Sequence, residues 1–498
     1  MTVNEQDLRV KLFNSLLTTP HRDLSGIYPV HQEIIGTDPL FYVHMAAWYA
    51  DKGEIRDHKE MFIINLMLSD FPGHRDTGAA LLRDLPPYQV GRVFDFIKGR
   101  ITKRRVKRGE QFEMVTEKQG LFRNVPRTMK TEITRYLKER EAKPDWFDAS
   151  VLQARKTMKR LYASLRIQPS DRAQAVLFED NPPADSRVFA VKEITKAATP
   201  AEQARAIVEN KIPYRVASSV IKKMTPTVMV ALIEIMSSQE LINNIGSLKR
   251  QGAFDNPDVK ALIEGKLEKA KSDKKVSAYK AKVAVEAAGV TGELADTLEA
   301  VTEQRVKDAG KINRPTALLI DKSSSMDMAI EIGGQLGAMI STICEADLFA
   351  YAFDTAAYPV TPKGTGLGDW EKALLGIKAS GATSCGVAIE WMRRSKQFVE
   401  QIVMITDEGE NTPPLFQTAY ANYAKDLNVQ PDVVFIKIGR ADNGLERQCA
   451  KLGIMATAFE FKGDYYALPN IIPLLSRPSM MELVMEVLSY PLPQRKER

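Results

Sequence analysis

The sequence predicts a chain of two parts, an α-helical first part followed by an α/β domain with a parallel sheet. Three observations predict this fold class. Apolar residues recur every three or four positions up to about residue 295, which is the period of an amphipathic helix. After Arg314, short apolar runs alternate with helical patterns, as in sheets covered on both faces. At 498 residues the chain is also too long for a single core.

The helical part consists of short segments separated by Pro and Gly. The clearest periodic segments are 58–71, 226–236 and 259–271, and turn residues such as Pro72-Gly73 and Pro182-Pro183 lie between segments. Many segments run about 10–15 residues with short connections, which is typical of stacked helical hairpins. No strict period repeats along the chain, so the sequence predicts an irregular, HEAT-like pairing of helices.

The second part alternates strands with helices. Runs of continuous apolar character predict strands at 316–321, 347–353, 401–407, 432–438 and 455–461. Helical patterns at 328–345, 369–378, 385–397, 415–426 and 443–453 lie between or near them. This order predicts a doubly wound, Rossmann-like sheet whose ligand binds at the carboxyl ends of the strands.

Charge is distributed unevenly between the two parts. Residues 1–310 hold 50 Lys and Arg against 41 Asp and Glu, whereas residues 311–498 hold 19 against 22. The first part therefore carries +9 and the second −3, which together give the net charge of +6. A basic module joined to an acidic one indicates that the first part meets a polyanion.

Several classes of protein are disfavoured by what the sequence lacks. No apolar run approaches the roughly 18 residues of a membrane span, and the N-terminus does not resemble a signal peptide, so we expect a cytoplasmic protein without a membrane partner. The three cysteines have no CxxC spacing, which favours buried thiols over a zinc site or disulfides. No GxxxxGK[ST] phosphate loop occurs, which argues against an ATPase.

Three separated fragments carry hydroxyl and carboxyl groups to one predicted sheet edge. The first strand ends in a DxSxS arrangement formed by Asp321, Ser323 and Ser325, Thr383 follows in a loop, and the strand at 401–407 ends in Asp407. Such hard oxygen donors suit Mg²⁺ first, with Mn²⁺ or Ca²⁺ as alternatives. The alternative interpretation of DxSxS is a helix cap or turn, since Ser and Asp favour both.

Basic residues cluster in three stretches of the helical part, with aromatic residues nearby. The clusters are Lys103, Arg104, Arg105, Lys107 and Arg108; Arg123, Arg127 and Lys130; and Arg155, Lys156, Lys159 and Arg160. The second and third clusters have near-helical spacing, so neighbouring cations share a face and repel unless an anion neutralises them. RNA phosphates could do so, with the aromatic residues stacking on unpaired bases. The alternative is that each cluster is an ordinary solvated face.

With the DxSxS, Thr383 and Asp407 fragments in place, residues 312–475 resemble a von Willebrand factor A-type domain with a metal-ion-dependent adhesion site. By this resemblance Ser323, Ser325 and Thr383 would contact the metal directly, while Asp321 and Asp407 would hold its water ligands. Such a metal would bind an acidic group of a partner without catalysing a reaction. Lys322 departs from the apolar residue usual in that family, and Asp354 is expected to be a surface or cap residue.

Stretches of the first part resemble the Ro ribonucleoprotein family, whose helical part is named the TROVE module. They are 51–69, 120–137, 145–170 and 231–254, in the family's order. The resemblance implies a HEAT-like helical ring, or toroid, over residues 1–300. The A-type domain would follow at 312–475, and a segment at 476–498 would pack back on the helical part. The family's histidine late in its second basic helix is absent here, where the chain has Tyr162-Ala163-Ser164.

The resemblance implies a non-catalytic, monomeric RNA-binding protein. It would bind small non-coding, Y-like RNAs and the single-stranded 3′ ends of misfolded RNAs, and could tether an exoribonuclease in RNA quality control. The main alternative is a protein-interaction scaffold whose metal grips an acidic residue of a partner. An accessory subunit of a metal chelatase or AAA machine shares the A-type domain but usually has acidic or ATPase segments. A hydrolase is least favoured, because only Asp407 and Glu408 could act as a base near the metal.

Overall fold

The computed structural model describes most of the chain in two compact units. One unit is helical and contains Arg22–Val276 and Leu488–Arg498, and the other contains Ala295–Val487. The described residues are 24–53, 55–108, 111–273, 276–277, 280–281, 284, 289, 292–324, 326–438, 444–454, 456–461, 471–476 and 480–495.

The helical unit is built from short helices joined by tight connections. Its first five helices are α1 (Leu24–Thr37), α2 (Pro39–Lys52), α3 (Arg56–Leu68), α4 (His74–Asp84) and α5 (Pro87–Lys98). After a pair of strands come α6 (Arg127–Glu141), α7 (Pro144–Leu165), α8 (Asp171–Phe178), α9 (Arg187–Lys196), α10 (Pro200–Asn210) and α11 (Tyr214–Val220). They are followed by α12 (Pro226–Ile235), α13 (Ser238–Arg250) and α14 (Pro257–Ala270).

Local sequence explains where many of these helices begin. Proline occupies an early position of α2, α5, α7, α10, α12 and α14, where its missing N–H has no partner to lose. Thr199 and Ser237 form capping boxes with Glu202 and Glu240 at the starts of α10 and α13. Helix α7 is kinked at Ala154, whose φ of −144° leaves the helical region.

The prediction of helices throughout the first part is wrong for one segment. Strands β1 (Arg100–Arg108) and β2 (Gln111–Gln119) form an antiparallel hairpin between α5 and α6. Glycines with positive φ flank it, Gly99 at 80° and Gly120 at 96°. A Cβ on Gly120 would lie 2.3 Å from the carbonyl oxygen of Phe96, so only glycine allows this close approach.

The second unit is a six-stranded sheet with helices. It begins with α15 (Glu293–Ala309), and its strands are β3 (Thr316–Asp321), β4 (Leu348–Phe353), β5 (Ala357–Pro359), β6 (Gln401–Thr406), β7 (Asp432–Ile438) and β8 (Ala456–Phe461). The other helices are α16 (Asp327–Ile343), α17 (Leu367–Leu374), α18 (Val387–Arg394), α19 (Phe416–Leu427), α20 (Gly444–Lys451), α21 (Ile472–Leu475) and α22 (Met480–Ser489).

The strand order is β5-β4-β3-β6-β7-β8, and all neighbours are parallel except β4 and β5. The five predicted strands are present, whereas the short antiparallel strand β5 was not predicted from the sequence. Strands β3 and β6 are buried along their whole length, as their continuous apolar character predicted. Because the order reverses between these two central strands, their carboxyl ends border the crevice where such sheets bind ligands.

Small residues let α16 pack closely in this unit. A Cβ on Gly337 would lie 2.3 Å from the ring of the buried Trp370, and a Cβ on Gly333 would lie 2.8 Å from Ile320 of β3. Two thiols, Cys385 and Cys449, are fully buried, and Cys344 is partly buried. Across the part of the chain that is described, no helix has the length and apolar character to cross a membrane.

The last described residues contact helices of the helical unit. The Tyr490 hydroxyl donates to Asp51 over 2.8 Å, and the Tyr490 carbonyl oxygen lies 2.8 Å from a ring nitrogen of His44. The Arg495 guanidinium pairs with the buried Glu132 of α6 and, over 3.4 Å, with Asp76. These contacts fix 490–495 to α2, α4 and α6.

Candidate functional site

The carboxyl ends of β3 and β6 bring Asp321 next to Thr406. The two strands are parallel neighbours, with Ile320 paired to Ile405. The Asp321 carboxylate is fully buried and accepts hydrogen bonds from the Ser323 backbone N–H and the Thr406 hydroxyl, both over 2.8 Å. Asp321 is therefore held in one orientation at the bottom of the strand-end crevice.

The loop that carries Thr383 is tied to the loop after β3. The Ser324 N–H donates to the Gly381 carbonyl over 3.3 Å, and the Ser380 N–H donates to the Lys322 carbonyl over 2.8 Å. These two bonds place the loop at 380–384 beside the DxSxS segment, as the sequence predicted for a common site.

The same loop is tied to the segment after β6. The Thr383 N–H donates to the Asn411 side-chain oxygen over 2.9 Å, and the Thr383 carbonyl accepts from the N–H groups of Asn411 and Thr412 over 3.0 Å each. The Thr383 hydroxyl makes no hydrogen bond to the described part of the chain. Thr383 is thus fixed through its backbone, while its hydroxyl remains available to a ligand. The sequence did not indicate that Asn411 holds the Thr383 backbone.

Asp407 follows directly after β6, and its carboxylate accepts a hydrogen bond from the Gly409 N–H over 2.9 Å. Ser323 is buried, and Asp407 is half-buried. The predicted ligand Ser325 lies outside the described residues. Four of the five predicted metal ligands, Asp321, Ser323, Thr383 and Asp407, thus lie on segments that converge at one sheet edge.

Electrostatics at this edge favour a cation. Burial raises the pKa of Asp321 above its ordinary value, hydrogen bonds from Ser323 and Thr406 oppose the rise, and the nearby Asp407 carboxylate adds to it. Among the described residues no three or more His, Cys, Asp or Glu side chains form a metal-binding group. A cation here would therefore depend on hydroxyl as well as carboxylate oxygens, which suits Mg²⁺ better than zinc.

Lys322 is directed away from this oxygen cluster. Its ammonium pairs with the carboxylate of Asp354, lies 3.2 Å from the Ser380 hydroxyl and sits 5.0 Å from the centre of the Tyr358 ring. The expectation that Asp354 is a surface or cap residue is wrong, because it is 6% exposed and forms this buried ion pair. Burial raises the pKa of Asp354, but hydrogen bonds from Lys322 and Ala356 outweigh that effect, so it lies below its ordinary value.

Glu408, one of the two carboxylates considered as a base, is engaged elsewhere. It has a left-handed φ of 63°, is buried, and lies 3.5 Å from the Lys437 ammonium. Its carboxylate also accepts from the Leu445 N–H at the start of α20 over 3.2 Å. Burial raises the pKa of Glu408, while Lys437 lowers it. These contacts give Glu408 a structural role in holding α20 against the sheet.

The first basic cluster lies on β1 of the hairpin. Lys103 is exposed, and the backbone of β1 places Arg104, Arg105, Lys107 and Arg108 on the same strand. The backbone at the base of the hairpin is fixed to α5, because the Leu121 and Arg123 N–H groups donate to carbonyl oxygens of Phe96 and Ile97.

The second cluster lies at the beginning of α6. Arg127 and Lys130 are exposed on its first turn, whereas Arg123 precedes the helix, which begins only after Pro126. The prediction that Arg123 belongs to this helix is wrong, because Pro126 has an extended backbone that separates the two. No acidic residue offsets these cations in the first turn, where the helix dipole disfavours positive charge.

The third cluster on α7 is divided by its neighbours. Arg155 donates to the Leu177 carbonyl at the end of α8 over 3.1 Å, and the Lys159 ammonium lies 5.6 Å from the Phe178 ring. Arg160 pairs with Asp95 of α5 over 2.8 Å. Arg155 and Lys156 are both exposed, but of the four cations only Lys156 has no hydrogen bond, ion pair or ring contact within the described part of the chain. Three of the four cations therefore stabilise helix packing.

Tyr162 lies in the region where the resemblance to the Ro family led us to expect a histidine. It is buried, and its hydroxyl donates to the Glu141 carboxylate over 2.6 Å. Burial and Glu141 together raise the pKa of Tyr162 far above its ordinary value. The tyrosine therefore stays neutral and links α6 to α7 instead of facing a ligand.

The described architecture consists of an α-helical module and a Rossmann-like α/β domain. Among solved structures, the Ro (RSR) protein of Deinococcus radiodurans is similar over 94% of both chains, with a TM-score of 0.59 and 15% sequence identity. The chain thus has the fold of an Ro protein, and the predicted fold class is confirmed. No family model and no curated protein matches the chain.

Two further solved structures match only about a third of the chain. BatB of Bacteroides thetaiotaomicron covers 32% of this chain and 98% of its own, with 17% identity and a TM-score of 0.26. Proximal thread matrix protein 1 from the mussel byssus covers 34% and 48%, with 16% identity and a TM-score of 0.27.

Proposed function

We propose that this chain is a non-catalytic RNA-binding protein of the Ro type that acts in RNA quality control. Its ligands are small, Y-like non-coding RNAs and the single-stranded 3′ ends of misfolded RNAs. The Ro fold along nearly the whole chain supports this proposal, together with exposed cations on the helical unit. An exoribonuclease tethered by the complex is the protein partner we propose, and the chain acts as a monomer.

The observation that carries the proposal is the set of exposed cations without an acidic partner. Arg123, Arg127, Lys130 and Lys156 are all exposed and form no ion pair with described residues. Elsewhere on the same unit many basic residues are paired, as in Arg172 with Asp148 and Arg187 with Asp145. Exposed cations without a carboxylate partner are stabilised most when they bind phosphate, because phosphate oxygens accept charge-assisted hydrogen bonds from them.

The experiment compares RNA affinity after removal of two of these cations. The probe is a structured RNA with a single-stranded 3′ tail, followed by electrophoretic mobility shift over a salt series. We expect Arg127→Gln/Lys130→Gln to weaken binding and to lower the slope of log affinity against log salt by about 1.4. A matched control is Lys222→Gln/Lys223→Gln, which removes the same charge from an exposed loop of the same unit. Absence of RNA binding by the wild type, or binding insensitive to salt, would overturn the proposal.

We further propose that the edge formed by β3 and β6 holds a divalent cation, Mg²⁺ before Mn²⁺ or Ca²⁺. Asp321, Ser323, Thr383 and Asp407 would hold it, with Ser325 as a further ligand predicted from sequence. When bound, the cation supplies an electrophilic centre for a carboxylate of a partner. The hydrogen bonds that fix these segments support this metal site. The alternative function is a protein-interaction scaffold that uses the bound cation. Removal of the metal should then abolish partner binding but leave RNA binding intact.

A further inference from the structure

The described side chains of the β1–β2 hairpin are exposed on both of its faces, apart from the half-buried Val115. Lys103, Thr116 and Lys118 are exposed at positions on one face, and Arg100 and Glu117 are exposed on the other. A two-stranded hairpin without a buried face is at best marginally stable by itself. Packing of the described side chains therefore does not explain why this hairpin is present.

The register of the hairpin separates its charges. On one face the paired positions are Ile101 with Lys118, Lys103 with Thr116, Arg105 with Met114, and Lys107 with Phe112. The other face pairs Arg100 with Gln119, Thr102 with Glu117, Arg104 with Val115, Val106 with Glu113, and Arg108 with Gln111. The first face, named here the basic ribbon face, has four cationic positions and no carboxylate. Both carboxylates of the paired strands, Glu113 and Glu117, fall on the second face.

The two cations of the basic ribbon face whose side chains the structure describes, Lys103 and Lys118, are both exposed. Three cationic positions of this face, at 103, 105 and 107, recur every second residue of β1, about 7 Å apart. Lys103 and Lys118 form no ion pair within the described part of the chain. A row of like charges at this spacing is complementary to the regularly spaced phosphates of a nucleic-acid strand.

Exposed apolar side chains accompany the cations. Ile101 is 59% exposed and Met114 is 61% exposed, and both occupy positions on the basic ribbon face. Exposed apolar side chains grouped on one face mark an interaction surface, and the flat face of an unpaired base can pack on such side chains. Paired bases hide their faces within the stack, so this combination fits unpaired nucleotides better than a duplex.

We infer that the basic ribbon face is a docking surface for a single-stranded segment of RNA. Lys103 and Lys118 contact phosphates of the strand, and Ile101 and Met114 contact the faces of unpaired bases. The inference rests on the proposed RNA-binding function and adds Lys118, Ile101 and Met114 to its residues.

The test measures fluorescence anisotropy of a labelled oligo(U) strand with the full-length chain over about 50–200 mM salt. We expect Lys103→Gln/Lys118→Gln to weaken binding about tenfold or more at low salt and to lower the salt slope by about 1.4. The matched control is Lys98→Gln/Arg100→Gln, which removes the same charge at the base of the hairpin, with Arg100 on the opposite face. The control should change affinity by less than about threefold.

A second pair of variants separates base contact from charge. Ile101→Ser/Met114→Ser removes the apolar contact to bases, so we expect weaker binding. The salt slope should stay unchanged, because every cation is kept. This result would not follow from a hairpin that merely raises the local positive potential. If the serine variant binds as the wild type does, the apolar contact to bases is wrong.

Other outcomes distinguish this inference from the proposed function. If Lys103→Gln/Lys118→Gln binds oligo(U) like the wild type while Arg127→Gln/Lys130→Gln does not, the inference fails and the RNA-binding function stands. If the wild type binds no RNA, both fail. If the ribbon variant loses affinity for phosphatidylserine vesicles but not for RNA, the face meets an anionic lipid surface, and the inference is overturned.

Discussion

Replacement of Thr383 by valine isolates the metal site from the fold around it. Valine has nearly the same shape as threonine, and the bonds that fix this position come from its backbone to Asn411 and Thr412. The Thr383 hydroxyl makes no hydrogen bond to the described residues, so its loss should cost less than about 1 kcal/mol without metal. The effect should therefore appear only when a cation is present.

The expected magnitude follows from linkage between binding and folding. At a Mg²⁺ concentration about 100 times the dissociation constant, binding stabilises the wild type by about 2.7 kcal/mol. Loss of a ligand that weakens binding about 100-fold leaves about 0.4 kcal/mol at the same concentration. The difference of about 2.3 kcal/mol corresponds to about 5–9 °C in the melting temperature of a domain of this size.

The assay is thermal unfolding of the full chain in EDTA and in a Mg²⁺ series, read at the transition that Mg²⁺ shifts. Thr418→Val, at an exposed position of α19, is the matched control and should keep the wild-type shift. If Mg²⁺, Mn²⁺ and Ca²⁺ all leave the wild type unchanged, the proposed metal site is wrong. If Thr383→Val keeps the full shift, Thr383 is not a ligand.

Three further predictions concern the fold. Burial and the neighbouring His58 hold the pKa of His31 well below 6.5. The free energy of unfolding should therefore fall by up to about 1.4 kcal/mol per pH unit below pH 6.5. Urea unfolding of His31→Asn should show a smaller fall over the same pH range. Lys322→Met leaves the Asp354 carboxylate buried without a counter-charge and should lower the free energy of unfolding by about 3 kcal/mol. An unchanged urea midpoint would contradict this prediction. Gly337→Ala should cost about 1–3 kcal/mol by overlap with Trp370, whereas Gly368→Ala, with open space around it, should not destabilise; equal melting temperatures would refute the packing argument.

The sign for His31 follows from its depressed pKa in the folded state. Its ring nitrogens lie 2.8 Å from the Tyr42 hydroxyl and 3.0 Å from a ring nitrogen of His58, and the side chain is fully buried. The folded state therefore keeps His31 neutral, while the unfolded state takes up a proton below pH 6.5. Glu60 acts in the opposite direction: burial raises its pKa to about 8, Arg92 partly offsets this, and stability falls as pH rises from about 4.5 to 8. The comparison of wild type with the His31 variant cancels the Glu60 contribution.

The strands of the α/β domain could be predicted because their residues are buried on both faces. A continuous apolar run such as 402–405 is best explained as a buried strand when strands alternate with helices. The same alternating order predicts that Asp321 and Asp407 lie at the carboxyl ends of strands. The partner of Lys322 could not be predicted, because the ion pair with Asp354 joins residues 32 positions apart across two strands. Only the parallel pairing of β3 with β4 brings them together.

The hairpin was missed because β1 is charged rather than regularly alternating. The sequence 100–108 has only two apolar residues, Ile101 and Val106, which fall on opposite faces of the strand. A half-buried strand alternates apolar and polar residues, but a ribbon exposed on both faces needs no such pattern. The neighbouring glycines, Gly99 and Gly120, were the available signal.

The roles of the α7 cations also depended on contacts that spacing does not encode. Helical spacing correctly placed Arg155 with Lys159 and Lys156 with Arg160, but it could not show that Asp95 and the end of α8 engage three of them. Lys156 differs from the other three because it is exposed and has no hydrogen bond, ion pair or ring contact within the described residues. A charge cluster in sequence is therefore a weaker predictor of an RNA site than the exposed, unpaired cations that remain after folding.

The most direct test of RNA binding is the affinity of the full-length wild type for one structured RNA with and without a single-stranded 3′ tail. The measurement is equilibrium anisotropy over about 50–200 mM salt. We predict that the tailed RNA binds more tightly at every salt concentration and that log affinity falls linearly with log salt. Equal affinity for both RNAs, or no binding to either, would contradict the account.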